Sequence, residues 1–222
     1  MSARIVPLPT GADLRLRNEH QTLAVLLVNG GTAKPLGGTW SATSELLAGE
    51  LAPRFGQLTF AELRYRVKSW NQLPSCMADA EAALDLLRDA GSARTLLVGF
   101  SMGGAVSIGV AAHPSVGGVL GLAPWVPERL SVEGLRGKRF DVVHGSWDRY
   151  LPFVPGVSPT NSKKGFERAR ALGVEGGYVL IHRGVHGAAV RRGSGALVRL
   201  PRWQAWVEHV ADRVERFAGH QL

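Results

Sequence analysis

The 222-residue sequence contains a single cysteine, Cys76, which excludes an intramolecular disulfide and a cysteine-rich zinc site. We expect Cys76 to be a small buried residue. No apolar run approaches the roughly 20 residues that a membrane-spanning helix needs. The first seven residues lack the apolar segment of a secretory signal, and charged residues follow from Asp13 onward. These absences predict a cytoplasmic protein with no membrane span.

Acidic residues are scarce beside basic ones: 18 Asp and Glu face 26 Lys and Arg, for a net charge of +8. Such a balance is typical of nucleic-acid-binding surfaces, among others. The local basic clusters are Lys163 and Lys164 with Arg168 and Arg170, and Arg191 and Arg192 with Arg199 and Arg202. Neither cluster interleaves aromatic side chains that would stack on bases. A solvated basic surface is therefore favoured. The alternative, nucleic-acid binding, would weaken steeply with salt.

Hydrophobic residues make up 45% of the chain, as in a packed globular protein, and their patterning alternates between strand and helix. Predicted strands cover residues 22–28, 58–63, 94–99, 116–122, 140–144 and 178–182. Predicted helices cover residues 43–55, 77–90, 101–112, 163–172 and 203–217. This order predicts an α/β fold with a mostly parallel sheet covered on both faces. Residues 4–6 and 14–16 fit weaker edge strands. No repeat or long linker divides the chain, so one domain over residues 1–222 is expected.

One motif stands at a junction between a predicted strand and a predicted helix. Gly99, Ser101 and Gly103 form the pattern G-x-S-x-G, which this composition would produce about 0.2 times by chance. The tight turn from strand to helix would raise the Ser101 hydroxyl above the carboxyl ends of the strands, where open α/β sheets place their sites. The alternative is a glycine-rich turn in which the serine only caps the helix.

Residues 96–105, Leu-Leu-Val-Gly-Phe-Ser-Met-Gly-Gly-Ala, resemble the nucleophile elbow of the α/β-hydrolase family, and the order of elements agrees with that fold over nearly the whole chain. The resemblance implies that Ser101 is the nucleophile. It implies a histidine base just past the last strand, for which His186 in a glycine-flanked loop is preferred over His182. It also implies an acid, Asp148, after the strand at 140–144, because the following Pro152 fits the acid loop of the family. Asp141, inside that strand, is expected to pair locally.

The same resemblance implies an oxyanion hole, formed by two backbone N–H groups. One belongs to Met102, the residue after the serine, and the other to Gly31 in the loop after the strand at 22–28. The family usually has His-Gly there, whereas this chain has Asn29-Gly30-Gly31, so the bonding within that loop departs from the pattern. The alternative is an ordinary Gly-Gly turn.

Ser101, Asp148 and His186 form the predicted catalytic triad, and the sequence around them indicates an open site. Residues 123–139, about 17 positions, are too short for the helical cap that many α/β-hydrolases carry. Trp125 and Trp147, at predicted strand ends, are candidate substrate contacts. Further aromatics could join them through loops: Trp40, Trp70, Tyr150 and Phe153. No phosphate loop, dinucleotide fingerprint or metal-binding cluster is present, so no cofactor and no metal are expected.

Together these features predict a serine hydrolase that cleaves a small-molecule carboxylic ester or thioester, similar to the small, capless dienelactone hydrolases, acyl thioesterases and carboxylesterases. Two alternatives stay open. One is an amide or peptide hydrolase of the same fold, and the other is a hydrolase-like protein that binds a ligand or partner without turnover. Acyl chain length and oligomeric state are not predicted by the sequence.

Overall fold

The computed structural model describes residues 3–148 and 156–219. It contains one eight-stranded sheet in the order β1-β2-β5-β3-β7-β8-β9-β10 and two small two-stranded sheets, β4-β6 and β11-β12. The strands are β1 Arg4–Pro7, β2 Asp13–Arg17, β3 Leu23–Val28, β4 Leu36–Gly37, β5 Thr59–Arg64, β6 Val67–Lys68, β7 Arg94–Phe100, β8 Val116–Leu122, β9 Arg139–Gly145, β10 Tyr178–Ile181, β11 Ala189–Arg191 and β12 Leu197–Arg199. The helices are α1 Ala42–Leu51, α2 Leu73–Asp89, α3 Met102–Gly109, α4 Pro159–Ala171 and α5 Trp203–Gly219.

The main sheet is parallel from β5 to β10, and β1 and β2 extend it as antiparallel edge strands. The predicted α/β fold, including the weaker edge strands, is confirmed. Because the central strands are parallel, their carboxyl ends meet at one edge of the sheet, and the loops that follow β3, β7, β8 and β9 lie near one another there.

Both faces of the sheet are covered, which explains why β3 is buried at all six positions. Ala24, Leu26 and Val28 pack into the core on the side of α2, α3 and α4. Leu23, Val25 and Leu27, which alternate with them along the strand, pack on the side of α1 and α5. A continuous apolar run in the sequence thus corresponds to a strand between two helical layers.

Two helices begin earlier than predicted. The sequence patterning places the start of the fourth helix at residue 163, but α4 begins at Pro159, and the side chain of Ser158 caps it by accepting from Thr160 N. Likewise α2 begins at Leu73, with a proline in its first turn. The first turn of a helix tolerates proline because its N–H has no intrahelical partner there. Placing Pro159 in a loop was therefore wrong.

The connection between β8 and β9 is short, as the sequence predicted. Residues 123–138 contain one turn of 3-10 helix, Glu133–Leu135, and no cap domain. The small two-stranded sheets β4-β6 and β11-β12 were not predicted, because strands of two or three residues carry no usable alternation. Within the described ranges, no helix is both long and apolar enough to cross a membrane.

Candidate active site

Ser101 occupies the turn between β7 and α3 with an unusual backbone conformation, φ 55° and ψ −118°. Such a conformation strains a residue with a side chain by about 1–3 kcal/mol and persists only where the surroundings enforce it. Here three backbone hydrogen bonds do so. Ser101 N donates to Leu122 O, and Ser101 O accepts from Gly104 N and Trp125 N, each at 2.9 Å. The turn is therefore fixed by both α3 and the neighbouring strand end.

The hydroxyl of Ser101 makes no capping hydrogen bond to α3. The alternative that this serine only caps the helix is therefore wrong. The side chain is partly exposed at the carboxyl edge of the sheet, beside the positive end of α3. A hydroxyl in this position is available to a base and to a substrate.

Asp148 and His186, from loops after β9 and β10, are brought together by the fold. Asp148 Oδ2 lies 2.6 Å from His186 Nδ1. An ionised carboxylate only accepts, so Nδ1 carries the proton and Nε2 is left as the basic nitrogen. The His186 ring also packs against Phe100, with ring centroids 4.9 Å apart. Since Phe100 immediately precedes Ser101, the imidazole is held next to the elbow.

No hydrogen bond joins Ser101 Oγ to His186 within the part of the chain that the structure describes. Catalytic hydrogen bonds of this kind are often long before substrate binds. His186 and Ser101 therefore share one edge of the sheet, with no hydrogen bond between them in the described ranges.

The Asp148 carboxylate is fully buried and accepts three hydrogen bonds. Oδ1 accepts from Val157 N at 3.2 Å, and Oδ2 faces both His186 and His144 Nε2, the latter at 3.0 Å. Burial by itself would raise the pKa of this carboxyl, but the hydrogen bonds from His144 and His186 outweigh burial and hold its pKa below the usual value. Asp148 is thus kept ionised beside His186.

The loop that carries His186 is fixed by Thr43, a buried residue of α1. Thr43 Oγ1 donates to Ala189 O at 3.2 Å and accepts from the N–H groups of Ala188 and Ala189. Gly187, between His186 and Ala188, has φ +87°, and a Cβ there would lie 2.6 Å from Thr43 Oγ1. The position after His186 therefore requires glycine. The role of Thr43 was not predicted, because no local pattern marks it.

Two other residues considered from the sequence lie apart from this pair. His182 is exposed in the turn after β10. Asp141 binds Arg139 Nε at 2.6 Å and Gly177 N at 2.8 Å, so it pairs locally as expected.

The loop with Gly31, one predicted oxyanion donor, lies against Ser101 and the side chain of Met102, the other. A Cβ on Gly30 would be 3.5 Å from Ser101 Cβ, so the loop after β3 runs along the serine. A Cβ on Gly31 would overlap Met102 Sδ and lie 2.7 Å from Met102 Cε. Among the described residues, neither the Gly31 N–H nor the Met102 N–H has a hydrogen-bond partner. The role of the two groups as oxyanion donors stays a prediction.

Asn29, which stands where the family usually has histidine, holds this loop. Its Nδ2 donates to Thr39 O at 2.7 Å, and its carbonyl accepts from the Tyr65 hydroxyl at 3.0 Å. The departure from the family pattern therefore leaves the loop with its own internal anchor.

The aromatic residues divide between the site and the surface. Trp125 packs against Trp70 with ring centroids 6.3 Å apart, and a Cβ on Gly31 would be 3.1 Å from Trp70 Cδ1. Trp70 and Trp125 therefore border the loop after β3 that carries Gly31, the predicted oxyanion loop. Trp147 is 55% exposed, with the Arg183 guanidinium 5.8 Å above its ring. The predicted substrate contacts of Trp125 and Trp147 stay predictions.

Other predicted contacts fall elsewhere. Trp40 packs against the guanidinium groups of Arg15 and Arg64, on the side of β2 and β5. Tyr150 and Phe153 lie outside the described residues.

The described residues also line a cavity that lies away from Asp148 and His186. A cavity of about 430 Å³ lies at the opposite, amino-terminal edge of the sheet, lined in part by Gly117, Arg139 and Arg213, and contains none of the triad residues. Within residues 3–148 and 156–219, no group of three or more His, Cys, Asp or Glu could hold a metal ion.

Comparisons with known proteins agree with the architecture. No protein-family model matches the sequence, and no curated protein matches it. Among solved structures, an α/β-hydrolase enzyme from a Medee basin deep-sea metagenome library is similar, with a TM-score of 0.71 and 19% identity over 97% of this chain and 98% of that one. A lidless α/β serine hydrolase from Xanthomonas campestris has a TM-score of 0.61 and 17% identity, over 83% and 85% of the two chains.

A third similar structure is an esterase from the planctomycete Thermogutta terrifontis with butyrate bound. Its TM-score is 0.64 and its identity 16%, over 96% of this chain and 92% of that one. At these identities the likeness concerns architecture. Together with the mostly parallel eight-stranded sheet flanked by helices, this likeness shows that the chain has the α/β-hydrolase fold.

Proposed function

We propose that this protein is a serine hydrolase that cleaves carboxylic esters or thioesters through an acyl-enzyme intermediate. The observation that carries the proposal is the hydrogen bond from His186 Nδ1 to the buried Asp148 carboxylate, formed beside the strained elbow that presents Ser101. A serine hydroxyl needs a neighbouring base to become a nucleophile, and a histidine oriented by a carboxylate is suited to that task.

The proposed reaction begins with proton transfer from Ser101 Oγ to His186 Nε2 as the oxygen attacks the acyl carbon. The carbonyl oxygen becomes an oxyanion, which accepts hydrogen bonds from Gly31 N–H and Met102 N–H. The tetrahedral intermediate then collapses, and His186 gives its proton to the departing alcohol or thiol. Throughout, Asp148 keeps the proton of His186 on Nδ1 and stabilises the imidazolium.

Deacylation repeats these steps with water. His186 takes a proton from water as its oxygen attacks the acyl-serine, the same two N–H groups bind the oxyanion, and the acid leaves as Ser101 recovers its proton. Ser101 is partly exposed and no cap lies between β8 and β9, which favours small substrates reached from solvent. The butyrate bound to the similar esterase supports a short acyl group.

Fluorophosphonate labelling followed by mass spectrometry tests the nucleophile. We expect the adduct on Ser101, and none in the Ser101→Ala variant. An adduct on another residue, or no adduct on the folded protein, would refute the assignment and favour a binding protein without turnover.

A substrate panel tests the reaction class. It contains p-nitrophenyl esters of increasing acyl length, an acyl thioester and a p-nitroanilide. We expect turnover of short esters or thioesters that is lost in Ser101→Ala. Turnover of the anilide alone would assign the amide-hydrolase alternative instead.

A further inference from the structure

A second histidine contacts the carboxylate of the proposed triad. His144, on β9 and four positions before Asp148, is completely buried. Its Nε2 lies 3.0 Å from Asp148 Oδ2 and 2.8 Å from Val157 O. Because both neighbours are acceptors, Nε2 must carry a proton. Asp148 Oδ2 therefore receives hydrogen bonds from two imidazoles, those of His144 and His186.

The far side of the His144 ring is also bonded. Nδ1 lies 2.7 Å from Ser162 Oγ on α4, and Ser162 Oγ lies 2.9 Å from the Tyr178 hydroxyl on β10. Tyr178 is in turn 3.0 Å from Pro159 O. Burial raises the pKa of Tyr178, which keeps its hydroxyl protonated.

One arrangement of protons satisfies this whole chain of groups. The Tyr178 O–H is shared between Ser162 Oγ and Pro159 O, Ser162 donates to His144 Nδ1, and His144 Nε2–H is shared between Asp148 and Val157 O. Both ring nitrogens of His144 thus have hydrogen-bond partners, although the ring lies in the core. The ring orientation is fixed from both sides, by α4 on one and by the loop after β9 on the other.

We propose that His144 is a positioning residue for the proposed hydrolysis, holding the Asp148 carboxylate in place through the same oxygen that His186 contacts and sharing its charge. This inference rests on the proposed function. His144 does not touch the reacting atoms. It acts through Asp148, because a carboxylate bound by only one imidazole would lose an anchor and could rotate away from His186.

A purely structural role of His144 would give a different pattern of activities in substituted proteins. If His144 only filled space or stabilised β9, its removal would lower activity by the same factor whether or not position 148 carried a carboxylate. If it acts through Asp148, the two substitutions are not additive, as is usual for residues that work as a unit.

The test is a double-mutant cycle with His144→Leu, Asp148→Asn and the double variant, measured on the p-nitrophenyl ester that the enzyme turns over best. We expect His144→Leu to lower kcat about 10- to 100-fold with little change in KM, the range shown by outer partners of functional histidines. In the Asp148→Asn background, the same substitution should change kcat less than about threefold. Equal factors in both backgrounds would overturn the proposal.

A conservative variant guards against misfolding. The amide nitrogen of His144→Gln can donate to Asp148 from nearly the same place, so it should recover most of the activity that His144→Leu loses. His113→Leu is the matched control, since His113 also bonds a serine and lies 3.3 Å from an aspartate, Asp85, away from the triad. Its activity should stay within about twofold of the parent. Failure of His144→Gln to exceed His144→Leu, with both folded, would contradict the proposal.

One measurement does not depend on turnover. The hydrogen bond from His144 lowers the pKa of Asp148, so removing this donor should raise that pKa. Within the described residues, the titratable groups facing the carboxylate are His144 and His186, with Tyr178 beyond Ser162. ¹³C NMR of labelled aspartate in the inactive Ser101→Ala protein follows this titration directly. We expect a higher Asp148 pKa in Ser101→Ala with His144→Leu. An unchanged value overturns the role of His144, whereas absent ester turnover by the parent protein overturns the proposed function instead.

Discussion

Asp148 Oδ2 and His186 Nδ1 lie 2.6 Å apart, although 38 positions separate the two residues in the chain. They meet because the parallel strands β9 and β10 are neighbours and the loops after both strands emerge at the same edge of the sheet. Ser101 reaches that edge from β7. The site therefore depends on strand order, and the His186 ring is held in its loop by Asp148 and by packing against Phe100.

His182 and His186, both near the end of β10, are the two candidates for the catalytic base, and substituting each in turn distinguishes them. We expect His186→Ala to lower kcat/KM by about 10⁴-fold or more, because Ser101 then has no base. His182→Ala should leave it within about twofold, since His182 is exposed and makes no contact with Asp148 in the described structure. Steady-state kinetics on both variants, with circular dichroism as the folding control, decides between them. Loss of activity in His182→Ala alone would transfer the base to that residue.

The stability of the fold should depend on the charge of Asp148. Burial tends to raise the pKa of this carboxyl, but hydrogen bonds from His144 and His186 lower it below the ordinary value of about 3.9. A group with a lowered folded-state pKa stabilises the protein above its unfolded value, and that contribution is lost as the pH falls through the folded value. We expect Asp148→Asn to be less stable than the parent by about 1–3 kcal/mol near pH 7.

This difference should shrink as the pH falls below about 4, where the parent also loses the charge. Urea unfolding at pH 7 and at several acidic values measures it. Asp89→Asn, at the exposed end of α2, is the control and should change stability by less than about 0.5 kcal/mol throughout. A destabilisation by Asp148→Asn that is the same at every pH would show that the charge has no part in it.

Some of this site could be predicted because its signals are local. The elbow depends on Gly99, Ser101 and Gly103, which are adjacent in sequence, and the strands between two helical layers are continuous apolar runs. The start of α4 was missed although Ser158 and Pro159 are a recognisable cap and first turn. The capping signal is present in the sequence, but the other prolines nearby favour a loop over the same stretch.

Other parts could not be predicted from one sequence. Thr43 fixes the His186 loop across about 145 positions, and His144 meets Ser162 only because β9 packs under α4. Nothing in the spacing of these residues indicates a contact, since it depends on the packing of separate elements. Of these residues, His144 is the one that the sequence comes nearest to indicating, because it stands four positions before the predicted acid.

The oxyanion loop offers a test by added volume. A Cβ at Gly31 would overlap Met102 Sδ and crowd Met102 Cε at 2.7 Å, which would displace one or both donors. We expect Gly31→Ala to lower kcat about 10²-fold, similar to the loss of one oxyanion donor, with a smaller change in KM. Gly37→Ala in β4 is the control, because no atom lies within 4 Å of its added Cβ. If kcat of Gly31→Ala equals that of the control in the folded protein, Gly31 is not a donor.

The packing of α3 against β3 gives the last prediction, which concerns stability alone. A Cβ at Gly103 would overlap the Val28 carbonyl oxygen and lie 2.6 Å from the Asn29 carbonyl oxygen, and backbone atoms cannot rotate away as a side-chain end can. We expect Gly103→Ala to destabilise the protein by about 3 kcal/mol, because α3 must move off the sheet. Gly49, exposed within α1, has no atom within 4 Å of an added Cβ, so Gly49→Ala should stabilise the protein by about 0.5–1 kcal/mol through helix propensity. Urea unfolding measures both. Equal effects of the two substitutions would mean that the close approach of α3 to β3 does not fix the elbow, and the strained conformation of Ser101 would then need another cause.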